Sequence, residues 1–326
     1  MSKMIIGVDL GGTRIRAARL NQHLDILERV ETLTLADTGA EATLNRIKEQ
    51  IRRVMSDDKN SIEGIGISAP GPLNPETGVI YSPPNLPGWH HVPLKAILED
   101  AFGIPVYAGN DANVAALAEA VRGVARGYRH SIYLTISTGI GSGMIIDDRL
   151  LLGHQGLGGE AGHMMMLVGE RVSSLEGESA GPDMALQAVN RIQSGEKSLM
   201  TELVNGDLSA INAKILNDAA QAGDVLARSI IARSGYILGL GIVSLLHIFN
   251  PQIVVVGGGV ANIGDMLFMP MREAVEKHCI DQAYWKDLII THPELGEDVS
   301  IIGAGALVPT KGGVGKVSDV IHTLNN

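Results

Sequence analysis

The sequence predicts an α/β fold, because apolar runs of strand length alternate with segments of helical period along the 326 residues. Two further observations support this class. Several of the apolar runs end directly in glycine, and glycine supplies 40 residues, about 12% of the chain against a typical ~7%. Such glycines allow tight turns that bring the backbone close to a ligand. At roughly 150 residues per domain, the length indicates two domains.

The composition excludes several classes of protein. Apolar residues make up 45% and charged residues 19%, so the chain can bury a large core. The net charge of −10 argues against binding a nucleic-acid backbone as the main task. The single cysteine, Cys279, excludes an internal disulfide and a zinc site built from several thiolates. Aromatic residues are only 3%, so stacking on aromatic rings is not the obvious binding device.

We expect a cytoplasmic protein. The N-terminal residues run directly into a predicted strand, without the apolar stretch of a secretory signal. The most apolar segment, Ile230–Phe249, contains Arg233 and several small or polar residues. This composition predicts a buried core helix rather than a membrane span.

In the first half, the apolar runs that end in turn residues predict strands, and the runs of helical period predict helices. The helix at 42–55, for example, places Leu44, Ile47, Ile51 and Val54 on one face. The predicted order is a strand at 5–9, its hairpin partner at 15–20, a helix at 42–55, a strand at 62–68, a proline-rich loop at 74–93, a helix at 94–102, a strand at 104–108 and a helix at 112–121. We expect the boundary between the two halves near Asn110.

The pattern then restarts, which indicates a weak internal repeat. A strand at 131–137, a glycine-rich turn at 138–143 and a returning strand at 144–147 echo the first hairpin. Two later apolar runs, 253–256 and 299–302, are each followed by a glycine-rich stretch and are predicted to be strands.

Two turns that combine glycine with threonine follow apolar strands, at Gly11-Gly12-Thr13 and at Thr138-Gly139-Ile140-Gly141. Backbone N–H groups in such turns can approach an anion, so the pair indicates two turns that embrace one polyphosphate. The carboxylate of Asp9 could hold a phosphate-bound Mg²⁺, directly or through water. Taken alone, the first turn fits an ordinary hairpin equally well.

Gly257-Gly258-Gly259 is a third candidate, because a flat backbone surface admits an adenine or a ribose. A packing contact between a helix and a strand explains it equally well. The Gly312–Lys316 segment is not a P-loop, since Val317 stands where Ser or Thr is required and Thr310 where the first Gly is required.

Polar residues at three places are candidates for sugar recognition or catalysis. Asp111 follows Asn110 at the end of a strand, where an acid can face a ligand; by itself, the position favours helix capping. Glu160 and His163 lie three residues apart among glycines, which fits either hydroxyl recognition or a polar loop. Glu176 adds another carboxylate.

Together these motifs resemble the ROK family of repressors and sugar kinases, within the actin/hexokinase-like superfamily. The matching segments follow the family's order from residue 5 to about residue 305. They are Asp9-Leu10-Gly11-Gly12-Thr13, Ser68-Ala69-Pro70-Gly71-Pro72, Asn85-Leu86-Pro87-Gly88-Trp89, Asn110-Asp111-Ala112-Asn113, Ser137-Thr138-Gly139-Ile140-Gly141, Glu160-Ala161-Gly162-His163 and Val256-Gly257-Gly258-Gly259. The resemblance implies a two-lobed α/β fold of the ribonuclease H-like type, with a ligand cleft between a smaller lobe (1–110 with about 305–326) and a larger lobe (111–304).

The resemblance also implies an ATP- and Mg²⁺-dependent kinase that makes the 6-phosphate of glucose or a similar hexose, with Asp111 as general base. It implies a sugar site lined by Gly71, Asn85, Asn110, Asp111, Glu160, His163 and Glu176. It implies an ATP site formed by Asp9, Gly11, Gly12, Thr13, Arg14, Thr138, Gly139, Gly141, Gly257, Gly258 and Gly259. We expect a homodimer or higher homo-oligomer that binds neither nucleic acid nor membrane.

Two alternatives stay open. The substrate could be N-acetylmannosamine or N-acetylglucosamine. The chain could also be a sugar-sensing regulator, but the family's repressors carry a helix-turn-helix domain before the first strand, and four residues precede it here.

One segment departs from the family pattern. After the histidine that matches His163, the family carries a Cys-x-Cys-Gly-x-x-Gly-Cys segment that holds zinc with that histidine. Here the segment Met164–Ser174 has no cysteine, and Ser174 takes the place of the last one. We therefore expect no zinc site, and a shorter loop held by packing of its Met, Leu and Val side chains.

Overall fold

The computed structural model describes residues 3–56 and 58–325. Its strands are, in chain order, β1 (Met4–Leu10), β2 (Arg14–Leu20), β3 (Ile26–Leu33), β4 (Ile62–Ala69), β5 (Leu73–Asn74), β6 (Val79–Ile80), β7 (Val92–Pro93), β8 (Val106–Asn110), β9 (Ser131–Ile136), β10 (Ile140–Ile146), β11 (Arg149–Leu150), β12 (Met165–Val168), β13 (Arg171–Ser174), β14 (Ile253–Gly257) and β15 (Ile289–Thr291). Its helices are α1 (Ala40–Val54), α2 (Leu94–Phe102), α3 (Asp111–Val121), α4 (Leu175–Ser179), α5 (Gly181–Gln193), α6 (Met200–Leu203), α7 (Ala213–Gln221), α8 (Val225–Phe249), α9 (Asp265–His278), α10 (Val299–Ala306) and α11 (Val317–Asn325).

Two five-stranded sheets have the same strand order. The first has the order β3-β2-β1-β4-β8, and the second has the order β11-β10-β9-β14-β15. When the strands of each sheet are numbered along the chain, their order across the sheet is 3-2-1-4-5 in both. In the first sheet, β1 and β2 are antiparallel, whereas β1 is parallel to β4 and β4 to β8. The predicted α/β class is confirmed, and the repeated strand order extends the repeat seen in the sequence.

Residue contacts divide the chain into two compact units. Unit 1 consists of 1–133, 143–159 and 293–326, and unit 2 consists of 134–142 and 160–292. The lobe boundary expected near Asn110 stays a prediction. In unit 1, the core includes the central strands β1 and β4 together with apolar side chains of α1 and α2.

The prediction of a strand at 299–302 is wrong, because these residues begin helix α10. The glycines that follow this run, Gly303 and Gly305, lie within the helix and form part of its packing surface. A Cβ on Gly66 of β4 would lie 1.7 Å from the carbonyl oxygen of Ala304, and one on Gly303 would lie 2.1 Å from the carbonyl oxygen of Val114 in α3. Helix α10 therefore approaches both the sheet and α3 backbone to backbone, which only glycine allows.

Most other predicted elements are present, with shifts of a few residues at their ends. Strand β3, an edge strand with four exposed or half-exposed polar positions, was not predicted from the sequence. Helix α8 includes the predicted core helix. Of the helices in residues 3–56 and 58–325, it alone is long and apolar enough to cross a membrane, and 67% of its most apolar window is buried inside the protein.

The segment that departs from the family pattern folds as the hairpin β12–β13. The expectation that packing of its Met, Leu and Val side chains holds it is wrong for one face, since Met165, Leu167 and Val172 are 70%, 75% and 65% exposed. These three side chains share a face because Leu167 pairs directly with Val172. The hairpin is held instead by its own antiparallel ladder and by a hydrogen bond from the Leu175 amide to the Met164 carbonyl (3.0 Å).

The glycines of α10 provide a matched test of this packing. Gly303→Ala places a Cβ against the Val114 backbone, so we expect the unfolding free energy to fall by roughly 2–3 kcal/mol or more, as for overpacked cores. Gly305→Ala meets only the ends of the Leu20 and Leu24 side chains, at 3.3 Å, and gains helix propensity, so we expect a change within about 1 kcal/mol. Urea unfolding of both variants measures the difference. Equal losses would show that α10 does not pack as described.

Candidate active site

In unit 1, the carboxyl ends of parallel strands β1, β4 and β8 bring polar residues of three sequence motifs to one edge of the sheet. Asp9 pairs with Ser68 of β4, and Ala69 pairs with Asn110 of β8. A Cβ on Gly71 would lie 3.8 Å from the Cβ of Asn110. The structure thus places Asp9, Gly71, Asn110 and Asp111 in one neighbourhood.

Asn110, not Asp111, caps helix α3. The Asn110 side-chain oxygen accepts the Asn113 amide at 2.7 Å, as N-cap residues do. Asp111 is the first helical residue, and its carboxylate accepts the neighbouring Ala112 amide at 2.9 Å. The capping role considered for Asp111 is therefore wrong, and its carboxylate is available for chemistry.

Asp111 is exposed as a residue. The surrounding protein desolvates its carboxylate and thereby raises the pKa above the ordinary value, and hydrogen bonds from the backbone amides of Ala112 and Asp111 oppose this rise. The carboxyl group of Asp9 is nearly buried. Burial raises its pKa, the Arg16 guanidinium opposes this, and the negative charge of Asp111 raises it further. Arg16 donates to one Asp9 oxygen from Nε (3.0 Å) and Nη2 (2.7 Å).

These acids fit a phosphate-bound Mg²⁺, which typically takes one or two protein carboxylates and leaves its other positions to water and substrate. Both hydrogen bonds from Arg16 go to Oδ2 of Asp9. Asp111 lies close enough to raise the pKa of Asp9. A cage of three or more His, Cys, Asp or Glu ligands is absent from the described residues.

The first glycine turn is closed by a hydrogen bond from the Gly11 amide to the Arg14 carbonyl (2.9 Å). A Cβ on Gly12 would lie 3.1 Å from the Cβ of Asn85, so the turn also touches the segment predicted to contribute to the sugar site. The Arg14 guanidinium is exposed and pairs with Glu31 at 2.6 Å, so a phosphate would have to compete with this carboxylate for it.

In unit 2, the second glycine turn and the Glu160–His163 segment both pack at the start of β10. The Ala161 amide donates to the Ser142 hydroxyl (2.9 Å), and a Cβ on Gly162 would lie 2.0 Å from the Ile140 carbonyl oxygen. The side chains of Glu160 and His163 are exposed at this turn.

Glu176 also lies at this turn. Its Oε2 accepts the Ile140 amide at 2.7 Å, and a Cβ on Gly139 would lie 2.5 Å from the same oxygen. Gly139 does not have a positive φ, so its lack of a side chain makes room for this carboxylate rather than relieving backbone strain. Glu176, which is predicted to line the sugar site, is thus bound to the turn that is predicted to hold phosphate.

A cavity of about 890 Å³ in unit 2 opens beside the same turn. Ser137, Thr138 and Gly259 line it, and helices α5 and α7 contribute much of the rest. Its walls are mostly apolar. The other polar residues that line it are Gln193, Ser209, Asn212, Lys214, Asn217 and Asn262.

The three consecutive glycines have different positions. Gly259 lines the cavity, and a Cβ there would meet nothing within 4 Å. Gly258 has a φ of 86°, and a Cβ on it would lie 2.3 Å from the Ile136 carbonyl oxygen, so it serves close packing against β9. Gly257 is the buried last residue of β14.

Sequence reasoning missed Arg16, Tyr133 and the residues of α5 and α7 that line the cavity of unit 2. Arg16 lies directly opposite Asp9 in the β1–β2 hairpin, so the predicted hairpin register would have found it. The residues that α5 and α7 contribute to the cavity carry no motif. Tyr133, whose pKa burial and the charges of Glu119 and Asp111 raise to about 12, was missed as well.

This chain is similar to known proteins over nearly its whole length. The sequence model of the ROK family matches residues 5–311. The glucokinase of Thermotoga maritima is 35% identical over 93% of this chain and 96% of its own length. A putative xylose repressor of a Caldicellulosiruptor strain is 30% identical over 94% of this chain and 78% of its own length.

Two crystal structures have the same fold. The ROK hexokinase of Thermus thermophilus is 32% identical, with a TM-score of 0.80 over 94% of this chain and 98% of its own. The ROK family glucokinase of Streptomyces griseus, determined in complex with glucose and AMPPNP, is 28% identical, with a TM-score of 0.75 over 93% of this chain and 98% of its own.

The helix that carries Glu176 is anchored by a second carboxylate, Glu178, whose side chain is only 2% exposed. Arg171 and Arg233 both pair with it. Burial alone would raise the pKa of Glu178, but hydrogen bonds from Ser173 and from the two guanidinium groups lower it below the ordinary value. Because the folded-state pKa is lowered, this contribution to stability is present above the ordinary glutamate pKa and is lost as the pH falls through the folded-state pKa.

We therefore expect Glu178→Gln to lower the unfolding free energy at neutral pH by about 1.5–3 kcal/mol, the range for hydrogen bonds to a charged group. The difference from the unmodified protein should shrink as the pH falls below about 4. Glu196→Gln, at an exposed bidentate pair with Arg191, serves as control and should change stability much less. Thermal or urea unfolding across pH 3–8 measures both. A loss for Glu178→Gln that is the same at every pH would contradict the ionic role.

Proposed function

The chain belongs to the ROK family, and we propose that it is an ATP-dependent kinase that phosphorylates the 6-hydroxyl of glucose or a similar hexose. The observation that carries this proposal is the Asp111 carboxylate. It lies at the carboxyl end of β8 on an exposed residue, is not consumed by helix capping, and has a raised pKa. A carboxylate with a raised pKa is a better proton acceptor than an ordinary one.

In the proposed reaction, Asp111 accepts the proton of the sugar hydroxyl as the hydroxyl oxygen forms a bond to the γ-phosphorus of ATP. The bond from that phosphorus to the oxygen that joins it to the β-phosphate breaks, and ADP leaves. Asn110 keeps its side-chain amide group for a sugar hydroxyl, because its oxygen is bound to the Asn113 amide. Glu160, His163 and Glu176 are proposed to hold further hydroxyls, with carboxylates as acceptors and the imidazole in either role. Binding of the sugar by several groups aligns one hydroxyl and raises its effective concentration.

The amides of the two glycine turns are proposed to hold the phosphates. Among the described residues, the amides of Gly12, Thr13, Thr138 and Gly139 have no acceptor in the protein outside the strand ladders. Asp9 would hold a Mg²⁺ ion, which neutralises phosphate charge when it is bound. Arg16 holds Asp9 in place with two hydrogen bonds and opposes the rise that burial causes in the pKa of Asp9.

The cavity of unit 2 supports a nucleotide as phosphoryl donor. Its apolar walls suit a base, and its contact with Thr138 places the phosphate end at the second glycine turn. The cavity volume of about 890 Å³ is within the range of small-molecule sites. We expect aliphatic side chains, not aromatic rings, to contact the base, since none of the lining residues is aromatic.

The proposal is tested by a coupled assay of ADP release with ATP, Mg²⁺ and a panel of hexoses and N-acetylhexosamines. Asp111→Asn keeps the shape but removes the base, so we expect turnover to fall by about 10²–10⁴-fold. Calorimetry should show sugar affinity little changed. Asp100→Asn, at an exposed residue of α2, is the matched control and should keep full turnover.

Each outcome distinguishes a different alternative. An active Asp111→Asn variant would remove Asp111 from the mechanism. Turnover only with N-acetylhexosamines would reassign the substrate. Sugar binding without ADP release for any sugar would favour a sugar-sensing regulator.

The contact between Gly139 and Glu176 generates a second prediction. Gly139→Ala displaces the Glu176 carboxylate and breaks its bond to the Ile140 amide. We therefore expect the KM values for both ATP and sugar to rise, each by about tenfold for the loss of a charged hydrogen bond. Gly259→Ala meets nothing within 4 Å and should leave the KM for sugar unchanged. A rise in the KM for ATP alone in Gly139→Ala would show that Glu176 does not bind the sugar.

A further inference from the structure

Unit 1 contains a cavity of about 680 Å³ to which the proposed reaction assigns no role. Three basic side chains, Lys95, Arg149 and Lys311, line it, and Glu76 is its one acidic lining residue. We call it the basic cavity. It is built from the loop after β5, the start of α2, the segment from β11 to Gly156, and the loop after α10.

The three basic side chains have no carboxylate partner in the described part of the chain. Lys95 donates only to the Glu76 backbone carbonyl, at 3.2 Å. Arg149 is unusual: of the arginine side chains in residues 3–56 and 58–325, its side chain alone makes neither a hydrogen bond nor an ion pair. The neighbouring acid, Glu76, does not pair with any of the three.

This concentration of unpaired positive charge contrasts with the rest of the molecule. The chain carries a net charge of −10, whereas three basic residues and one acid give the basic cavity a charge of +2. Like charges that share a cavity repel one another, so an anion that enters it relieves this repulsion. The planar guanidinium of Arg149 matches the oxygens of a phosphate, and lysine adds point charges.

We propose that the basic cavity binds a small metabolite that carries a phosphate monoester. Lys95, Arg149 and Lys311 contact the phosphate, and Asn74, His154 and Gln155 provide polar groups for hydroxyls of the organic part. The cavity is much larger than an inorganic phosphate and has the size of a small-molecule site, which favours an organic phosphate over the free ion.

The loop after α10, which resembles a P-loop in sequence but lacks its residues, contributes a side chain and not a backbone cradle. Its Gly312 amide donates to the Leu307 carbonyl at 2.8 Å, and its Gly313 and Gly315 amides donate to the Thr310 carbonyl at 3.1 and 2.8 Å. These donors are occupied within the loop. Recognition of phosphate therefore depends on Lys311 and its two basic neighbours.

The test is calorimetric titration of the full chain with glucose 6-phosphate, inorganic phosphate and glucose. Saturating glucose and a non-hydrolysable ATP analogue fill the proposed active site in one series, and a second series omits them. We expect glucose 6-phosphate to bind in both series, more tightly than inorganic phosphate and more weakly as salt is added. Arg149→Ala and Lys311→Ala should each weaken this binding by about tenfold or more. Lys286→Ala, which removes an exposed lysine outside the basic cavity, should leave it unchanged.

Arg149→Glu, checked for folding by circular dichroism and thermal unfolding, gives the decisive result. Binding of glucose 6-phosphate with unchanged affinity by this variant would overturn the proposal, as would absence of binding to the unmodified protein at millimolar concentration. Equal affinity for inorganic phosphate and glucose 6-phosphate would overturn the assignment to an organic phosphate. Because the basic cavity shares no lining residue with the proposed active site, the Arg149 comparison stays decisive whether or not the chain proves to be a kinase.

Discussion

The arrangement of unit 1 depends on the direct backbone contact that α10 makes with the first sheet and with α3. Gly7 of β1 and Gly66 of β4 lie beneath the carbonyl oxygens of Ile301 and Ala304, and Gly303 lies against Val114 of α3. A side chain at any of these three positions would push the helix away. Strands β1 and β4 and helix α3 carry Asp9, Ser68 and Asp111 at their ends. A helix with no proposed catalytic residue therefore determines where the proposed base and the proposed metal ligand lie.

This close packing also affects the electrostatics. Burial raises the pKa values of both Asp9 and Asp111, and the charge of Asp111 raises the pKa of Asp9 further. Arg16 is the one cation that contributes to the pKa of Asp9, and it reaches Asp9 from the opposite strand of the same hairpin. A divalent cation that arrives with the phosphates would relieve the repulsion between the two acids.

The sequence predicted those features that depend on local pattern. Strands β1, β4 and β8, helix α2 and both glycine turns follow from runs of apolar residues and the breakers that end them. Features that depend on which residues pack against a segment were missed. Residues 299–302 have the apolar run of a strand, and only the glycines of β1 and β4 beneath them reveal that a helix fits there. Asn110 and Asp111 are both good capping residues, and the backbone of Asn110, extended at φ −71° and ψ 158°, decides which of them is the cap. The basic cavity brings together residues as distant as Lys95 and Lys311, so it has no local signal.

Glu176 illustrates a constraint that motif matching does not reveal. Its carboxylate accepts the Ile140 amide, one of the donors that a glycine turn offers to an anion. A phosphate oxygen and a carboxylate repel each other, so both do not readily share this donor. Thr138 and Gly139, on the other side of the turn, are thus the donors best placed for a phosphate, and Thr138 is the one that lines the cavity of unit 2. The absence of a side chain at Gly139 is required for the carboxylate to reach the turn. This glycine therefore governs the position of a residue proposed to bind sugar, although its motif indicates phosphate.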